Sequence, residues 1–552
     1  MSRGGFRRMG KTVLRAIGVA GALSWASAAG AAAPARDDEE ARIARLEAAV
    51  AGLQAQVQSQ SRAVQENAAL RREVADLKAA KTPKTGAVAL APPATHAETP
   101  ALTVSLKGAS PGLATADGRF SINLLGLVQL DTAFYDQTAP GPIATDLRRT
   151  GPALGFTTSN ADFSHARELR DGVLFRRARL GVAGNAFGPF EYRVVFDFGG
   201  AGVENAGQLY EAWAQYSGLK PFRLRVGAFA PLEGLADQSS TSAQPLLERP
   251  ASADIARGLA GGDTRVGAQL FAGGDRWLVS VAVTSRTIGV INTGTATATP
   301  QAYRDPLAFV GRVAGTPLHG DGWRVHLGAH GQYLARPADI TGPPATGDAP
   351  LTRHGVAFSD QGELRVDATR LINTGAIDAR HASTAGVEFA AQWRNFLVQS
   401  EYDRFFVQST VTGLGNPTFG GWYVEGSWVV TGETRRYNTG NAAFDGPPVH
   451  DGVGAGGFGV VELAVRYADM DLNDHAGLPG TAPAPDAVRG GELETWTGGV
   501  NWYLNPIVRL ALEFQHVRLT RLSPDATVYQ TPVGAQIGQS YNAVALRSQL
   551  AF

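Results

Sequence analysis

The sequence contains no cysteine, which removes disulfide staples, thiolate metal sites and cysteine nucleophiles together. Lysine is nearly absent too. It stands only at positions 11, 78, 81, 84, 107 and 220, so almost all positive charge is arginine. Past the first thirty-odd residues no apolar run reaches the roughly 20 residues that a membrane-spanning helix needs. The ten histidines show no HExxH or other ligand spacing, and there is no G-x-S-x-G elbow or phosphate-binding loop. No enzyme, cofactor or metal site can be assembled from such motifs. Charge of one sign is also missing, since 50 basic residues meet 50 acidic ones. The first 35 residues hold five of the basic residues and no acid, so the remainder carries 45 basic against 50 acidic. Nucleic acid is therefore not an expected partner.

Glycine, by contrast, is abundant at 67 residues and concentrated after the first hundred. Helices tolerate that poorly, whereas all-β chains with many turns accept it. Residues 1–33 read as a signal peptide. Arg7, Arg8, Lys11 and Arg15 precede an apolar stretch from Ala16 to Ala29, and Ala31-x-Ala33 supplies a small-residue cleavage site.

Residues 38–79 change character. Ile43, Val50, Val57 and Val64 recur every seven residues, with Leu46 and Leu53 between them. That is an a/d seam of a short α-helical coiled coil, with Gln60 and Asn67 in the next d positions. A coiled coil must associate, so it predicts a homo-oligomer, although a single solvated helix is the plainer alternative. Pro83, Pro92, Pro93 and Pro100 then mark residues 80–117 as an extended linker.

From residue 118 to 552 the periodicity becomes two. Phe190, Tyr192, Val194, Phe196 and Phe198 share one face, while Glu191, Arg193, Val195 and Asp197 share the other. Val387, Phe389, Ala391 and Trp393 likewise oppose Glu388, Gln392 and Arg394, and Val508, Leu510, Leu512 and Phe514 oppose Arg509, Glu513 and Gln515. An apolar, aromatic-ended face backed by charge needs lipid outside and water inside. The fold class expected is all-β: a transmembrane antiparallel β-barrel of about 16 strands, eighteen also being compatible with the length. The chain stops on Phe552 at the end of an alternating apolar strand. That resembles the assembly signal of outer-membrane proteins.

Several stretches together carry a family resemblance. Leu174-Phe-Arg-Arg-Ala-Arg-Leu-Gly181 with Phe190–Phe198, and Arg223-Leu-Arg-Val-Gly-Ala-Phe-Ala-Pro231 with Glu248-Arg249, resemble early blocks of the phosphate-selective porins O and P. Gly421-Trp-Tyr-Val-Glu-Gly-Ser-Trp-Val-Val-Thr-Gly-Glu-Thr-Arg-Arg-Tyr437 is the most specific match. It is joined by Val461–Tyr467, Asp471–Asp474 and Val500–Pro506. The resemblance implies a 16-stranded trimeric barrel in the outer membrane of a Gram-negative bacterium, with the coiled coil in the periplasm and a basic lumen that passes small anions such as phosphate. The lipid bilayer and the outer-membrane assembly machinery are the further implied partners. One departure matters: phosphate-specific members carry a lysine cluster, and here residues 118–552 hold only Lys220.

Arginine suits oxyanions because its planar guanidinium stays charged and presents a fork of donors. The pore-lining candidates are Arg177, Arg179, Arg193, Arg223, Arg225, Arg394, Arg466 and Arg509, all expected on polar strand faces. The plainer alternative pairs them with lumen acids such as Glu191, Asp197, Glu388 and Glu462. Glu433, Arg435 and Arg436 are candidates for a constriction loop, an outer turn being equally compatible. Asp469, Asp471, Asp474 and His475 have calcium-ligand character at a loop, but acidic loops are usually just solvated, and no metal is assigned. The function expected is a passive anion-conducting porin. The alternative is a general porin of weak selectivity that admits small hydrophilic nutrients.

Overall fold

The computed structural model describes residues 102–107, 109–137, 169–199, 208–287, 305–341, 352–410, 415–477, 484, 486–522 and 536–552. The signal peptide and the coiled coil lie outside the described residues. Sixteen strands form a closed antiparallel barrel. They are β1 (Ser121–Gln137), β2 (Gly172–Ala186), β3 (Phe190–Asp197), β4 (Gln208–Leu219), β5 (Phe222–Phe229), β6 (Arg265–Gly273), β7 (Trp277–Thr287) and β8 (Leu307–Gly320). The second half comprises β9 (Trp323–Arg336), β10 (Ile377–Trp393), β11 (Phe396–Ser409), β12 (Thr418–Val429), β13 (Val460–Asp474), β14 (Val488–Tyr503), β15 (Val508–Leu522) and β16 (Gln536–Ala551).

Every strand pairs with its neighbour in sequence, and β16 returns to β1 through Tyr541↔Gln137 to Ala551↔Leu127. At this seam the Phe552 N–H donates to Gly126 O, and the Gly126 N–H donates to Phe552 O, both at 2.9 Å. A Cβ at Gly126 would lie 2.3 Å from the Phe552 ring, so only glycine admits the terminal aromatic there.

The alternation sets which face is which. On β10, Val387, Phe389 and Trp393 are 58%, 45% and 60% exposed, while Glu388 and Gln392 between them are buried. A soluble sheet would show the reverse, so this inversion is the mark of lipid outside and a polar interior.

One end of the barrel carries the long connections and the other the turns. At the turn end, residues 187–189, 220–221, 274–276, 321–322, 394–395 and 504–507 join strands tightly. The exception is 430–459, a long connection between β12 and β13 at the turn end. It carries a small inner hairpin, Tyr437–Asn438 paired with Ala443–Phe444, whose buried Ala443 and Phe444 face the barrel interior. From the opposite end, the connection 230–264 enters with two short helices, α1 (Leu235–Gln238) and α2 (Ala251–Gly258). The connection 337–376 adds Phe358, Leu364, Leu371 and Ile372 to a core cluster that includes Leu247, Ile255, Phe405, Phe419 and Met470. The interior is thus partly packed rather than one open water-filled tube, which strand count alone would imply.

The stretch expected as linker needs one correction. Leu102–Lys107 and Ser110–Thr115 form a hairpin that pairs with the start of β1 through Gly112↔Asn123 and Ala114↔Ser121. The physical reason is visible in Leu102-Thr-Val-Ser-Leu-Lys107, a period-two pattern that continues along the free edge of β1.

Candidate functional site: two populations of lumen arginine

Strand geometry aims alternate residues inward, so lumen arginines arrive in stacked pairs. What each then does depends on the acid beside it. In the middle of the barrel nearly all are neutralised. The Arg177 guanidinium is buried, donates to Gln129 at 2.7 Å and lies 3.6 Å from Glu248. Arg179 pairs with Asp197 at 2.7 Å and stacks 3.6 Å above the Tyr210 ring. Arg193 pairs with Glu211 at 2.5 Å, and Arg466 with Glu363 at 2.5 Å and Glu425 at 3.0 Å. Of the candidates on the 430–459 connection, Arg435 turns inward and grips Glu462 at 2.5 and 2.7 Å. Its remaining donor reaches the carbonyls of Ala243 and Asp445 at 2.8 and 3.1 Å. Glu433 is half-buried beside the Thr431 hydroxyl, and Arg436 is exposed.

Several arginines that sequence reading did not single out join this neutralised set. Arg312 grips Glu388 at 2.9 and 2.7 Å and donates to the carbonyls of Asn441 and Ala442. Arg547 grips Asp131 at 2.6 Å twice and reaches Glu248 at 2.7 Å. These ion pairs staple the inward connections to the wall. Arg312 holds the tip of 430–459, Arg435 ties it to 230–264, and Arg466 and Arg547 hold Glu248 and Leu247 of 230–264. Glu401 performs the same task on α1, accepting the Leu235 and Ala236 N–H groups at 2.5 and 2.8 Å. A helix start welcomes a carboxylate because its first N–H groups lack intrahelical partners.

A second population sits at the turn end without a carboxylate in ion-pair range among the described residues. Arg223, at the first turn of β5, lies 4.4 Å from the Phe271 ring. Arg225 donates to Gln215 at 3.0 and 2.8 Å and stacks 4.3 Å from Trp213. Arg324 lies 5.4 Å from the Tyr437 ring. Arg509 donates to Asn501 at 3.1 and 2.6 Å and to Ser242 O at 3.3 Å. Arg436 completes the group. The partners of Arg223, Arg225, Arg324 and Arg509 are neutral amides, a carbonyl and aromatic faces, which hold a guanidinium without cancelling its charge.

Between the strands and 430–459 projects the hydroxyl run Ser239-Ser240-Thr241-Ser242 of the 230–264 connection. A cavity of about 320 Å³ on one side of it is lined by Ser240, Ser242, Asp445, Arg436 and Arg509. Another of about 300 Å³ is lined by Arg179, Arg193, Tyr210 and Thr241. Within the inward connections, burial pushes Glu233 and Glu363 up to about 7, with Arg265 and Arg466 respectively working against it.

Arg394 is corrected outright. It occupies the two-residue turn between β10 and β11 with φ 52° and an exposed side chain over Trp393, not a lumen face. The alternation that placed it inward simply ends one residue earlier, where the strand reverses. Asp469 and Asp471 lie on β13 with outward neighbours Glu492 and Glu494, not in a loop. Arg324 was not among the candidates, although it alternates with Trp323 and Val325 at the start of β9.

Residues 154–552 match the profile of the phosphate-selective porin O and P family. The chain belongs to that family. Porin O of Pseudomonas aeruginosa is 25% identical over 418 residues, 74% of this chain and 86% of the relative. Among solved structures, the anion-selective porin from Comamonas acidovorans is 12% identical, covering 78% of this chain and 100% of its own at TM-score 0.42. The outer-membrane channel DcaP of Acinetobacter baumannii is 12% identical, covering 80% of this chain and 99% of its own at TM-score 0.40. This family member is an outer-membrane porin of a Gram-negative bacterium.

Proposed function

We propose that this porin is a passive, non-catalytic channel for small oxyanions of the phosphate class, with selectivity set at its turn end by Arg223, Arg225, Arg324, Arg436 and Arg509. One observation carries this reading: the arginines without a carboxylate in ion-pair range lie at that end, where Arg436 and Arg509 line one cavity with Ser240 and Ser242. A pore discriminates by the charge and donors of its narrow part. Neutralised pairs such as Arg179–Asp197 and Arg466–Glu425 hold the wall and inward connections in place but add little net field. The lysine cluster of phosphate-specific relatives is missing, so donor geometry at arginine and serine takes its place. The general-porin alternative draws its support from that same neutralisation of the middle lumen.

The quaternary reading is a homotrimer tied by residues 38–79, with Phe552 as the signal for the assembly machinery. Cross-linking of the full chain against one lacking residues 38–79 tests the trimer. The channel reading is tested by the zero-current potential of the purified protein in a planar bilayer under a KCl gradient, followed by phosphate addition. An anion-signed potential with chloride current blocked by phosphate is the expected result. A potential of zero or cation sign, without block, leaves a general porin.

A further inference from the structure

The wall where both inward segments are stapled holds an unusual buried group. His326 and His330 project from β9, Glu388 from β10, and Glu401 and Asp403 from β11, all of them buried. The ligating atoms of His330, Glu388 and Glu401 lie within 4.8 Å of one another. The geometry points to a binding site for one divalent first-row transition ion, ligated by His330 Nδ1, Glu388 and Glu401.

Each proposed ligand is already fixed by a partner on its far side. His330 Nε2 lies 2.9 Å from Asp403 Oδ1, so with an ion on Nδ1 the ring proton would sit on Nε2 and donate to Asp403. A carboxylate behind a histidine is the usual outer support of a metal ligand. Glu388 is held by Arg312, which donates to both its oxygens at 2.9 and 2.7 Å, and by His326 at 3.0 Å. Glu401 is held by the α1 N–H groups and by the Tyr423 hydroxyl at 2.8 Å. The distance from His330 Nδ1 to Glu388 Oε1 is 3.0 Å. That is about the edge between two adjacent ligands on an ion with bonds near 2.1 Å.

Ion pairs leave one carboxylate over. Glu388 meets the Arg312 guanidinium at 2.7 Å, Asp403 meets His330 at 2.9 Å, and the neighbouring Glu233 meets Arg265 at 3.3 Å, whereas Glu401 has no cationic side chain in ion-pair range among the described residues. Two ligands also pack directly on glycine backbone, which fixes their positions: a Cβ at Gly386 would stand 2.3 Å from His330 Nε2, and one at Gly234 would stand 2.4 Å from Glu401 Oε1. The mixed nitrogen and oxygen donor set suits zinc-like ions, whereas magnesium retains its water and avoids imidazole.

The experiment uses the full-length, untagged protein in detergent, titrated calorimetrically with Zn²⁺ and, separately, with Mg²⁺. Wild type is expected to take up one Zn²⁺ per chain saturably and no Mg²⁺. H330N and E401Q are each expected to weaken zinc binding about 100-fold, and D403N, acting through His330, about 10-fold. All three should keep the heat-modifiable barrel on gels, which separates a lost ligand from a lost fold. H475A controls for the exposed His475 beside Asp486, and its stoichiometry should stay unchanged. No saturable uptake by wild type, equal affinity in H330N, or loss of uptake in H475A would each overturn the site.

Discussion

The middle of the lumen and its turn end are both rich in arginine, yet they use it for opposite purposes. In the middle, Arg312, Arg466 and Arg547 are almost fully buried and lie against carboxylates at 2.5 to 3.0 Å. At the turn end, Arg225 and Arg509 meet only amides, carbonyls and rings. A buried guanidinium without its acid leaves an uncompensated charge, so the middle set is committed to structure. A guanidinium held by neutral groups keeps its field for a passing anion. Counting arginines on polar faces therefore overstates how basic the conducting path is.

Breaking the middle set has the largest expected effect. Arg312→Gln leaves Glu388 buried without its guanidinium and releases the Asn441 and Ala442 carbonyls. A loss of about 3–5 kcal/mol is expected, read as earlier unfolding in denaturant, while ion preference changes little. The converse holds at the turn end. Arg436→Gln, at an exposed arginine, should weaken phosphate block of chloride current by about 10-fold or more, the loss of a charged hydrogen bond of about 1.5–3 kcal/mol, with unfolding unchanged. Converting one region into the other sharpens the contrast. Gln215→Glu places a carboxylate against Arg225, which donates to that side chain at 2.8 Å, and the zero-current potential should move toward zero.

A smaller effect comes from pH. Glu233 and Glu363 are held up at about 7 by burial, so lowering the pH through 7 protonates them. Each protonation leaves Arg265 or Arg466 less compensated, and anion preference should rise modestly between pH 8 and 6. Because these carboxylates are raised, barrel stability should fall as pH rises from their ordinary value near 4.5 to about 7 and level off above it. A preference that stays flat over this range would remove both groups from the conducting field. The smallest effect belongs to Arg394→Ala, exposed in its turn, where stability should stay within about 0.5 kcal/mol and selectivity should not change.

Much of the barrel was legible because its information is local. Phe190 to Phe198 announces its lipid face by strict alternation, and the turn residues between strands announce reversals. The same locality explains the errors. Arg394 continued the alternating pattern on paper, but the chain had already turned. Leu102 to Lys107 was read by the prolines before it rather than by its own period of two. The pairing of arginines was only half legible: Asp197, Glu388 and Glu462 stood out as lumen acids, but no sequence rule assigns Arg312 to Glu388 or Arg435 to Glu462. Arg547 and Asp131 meet across 416 positions.

By itself, the sequence determined the all-β character, the lipid-facing surface and the family. Each depends on periodicity or short motifs, where residues a few positions apart share one face. Only the tertiary structure decided which arginines remain free and how the lumen is narrowed. The connections 230–264 and 430–459 enter from opposite ends and meet near Leu235 and Phe444. That meeting is fixed by barrel closure and by acids on distant strands. A guanidinium's value to a passing anion depends on what stands within about 4 Å of it in space, and neighbours in sequence do not supply that.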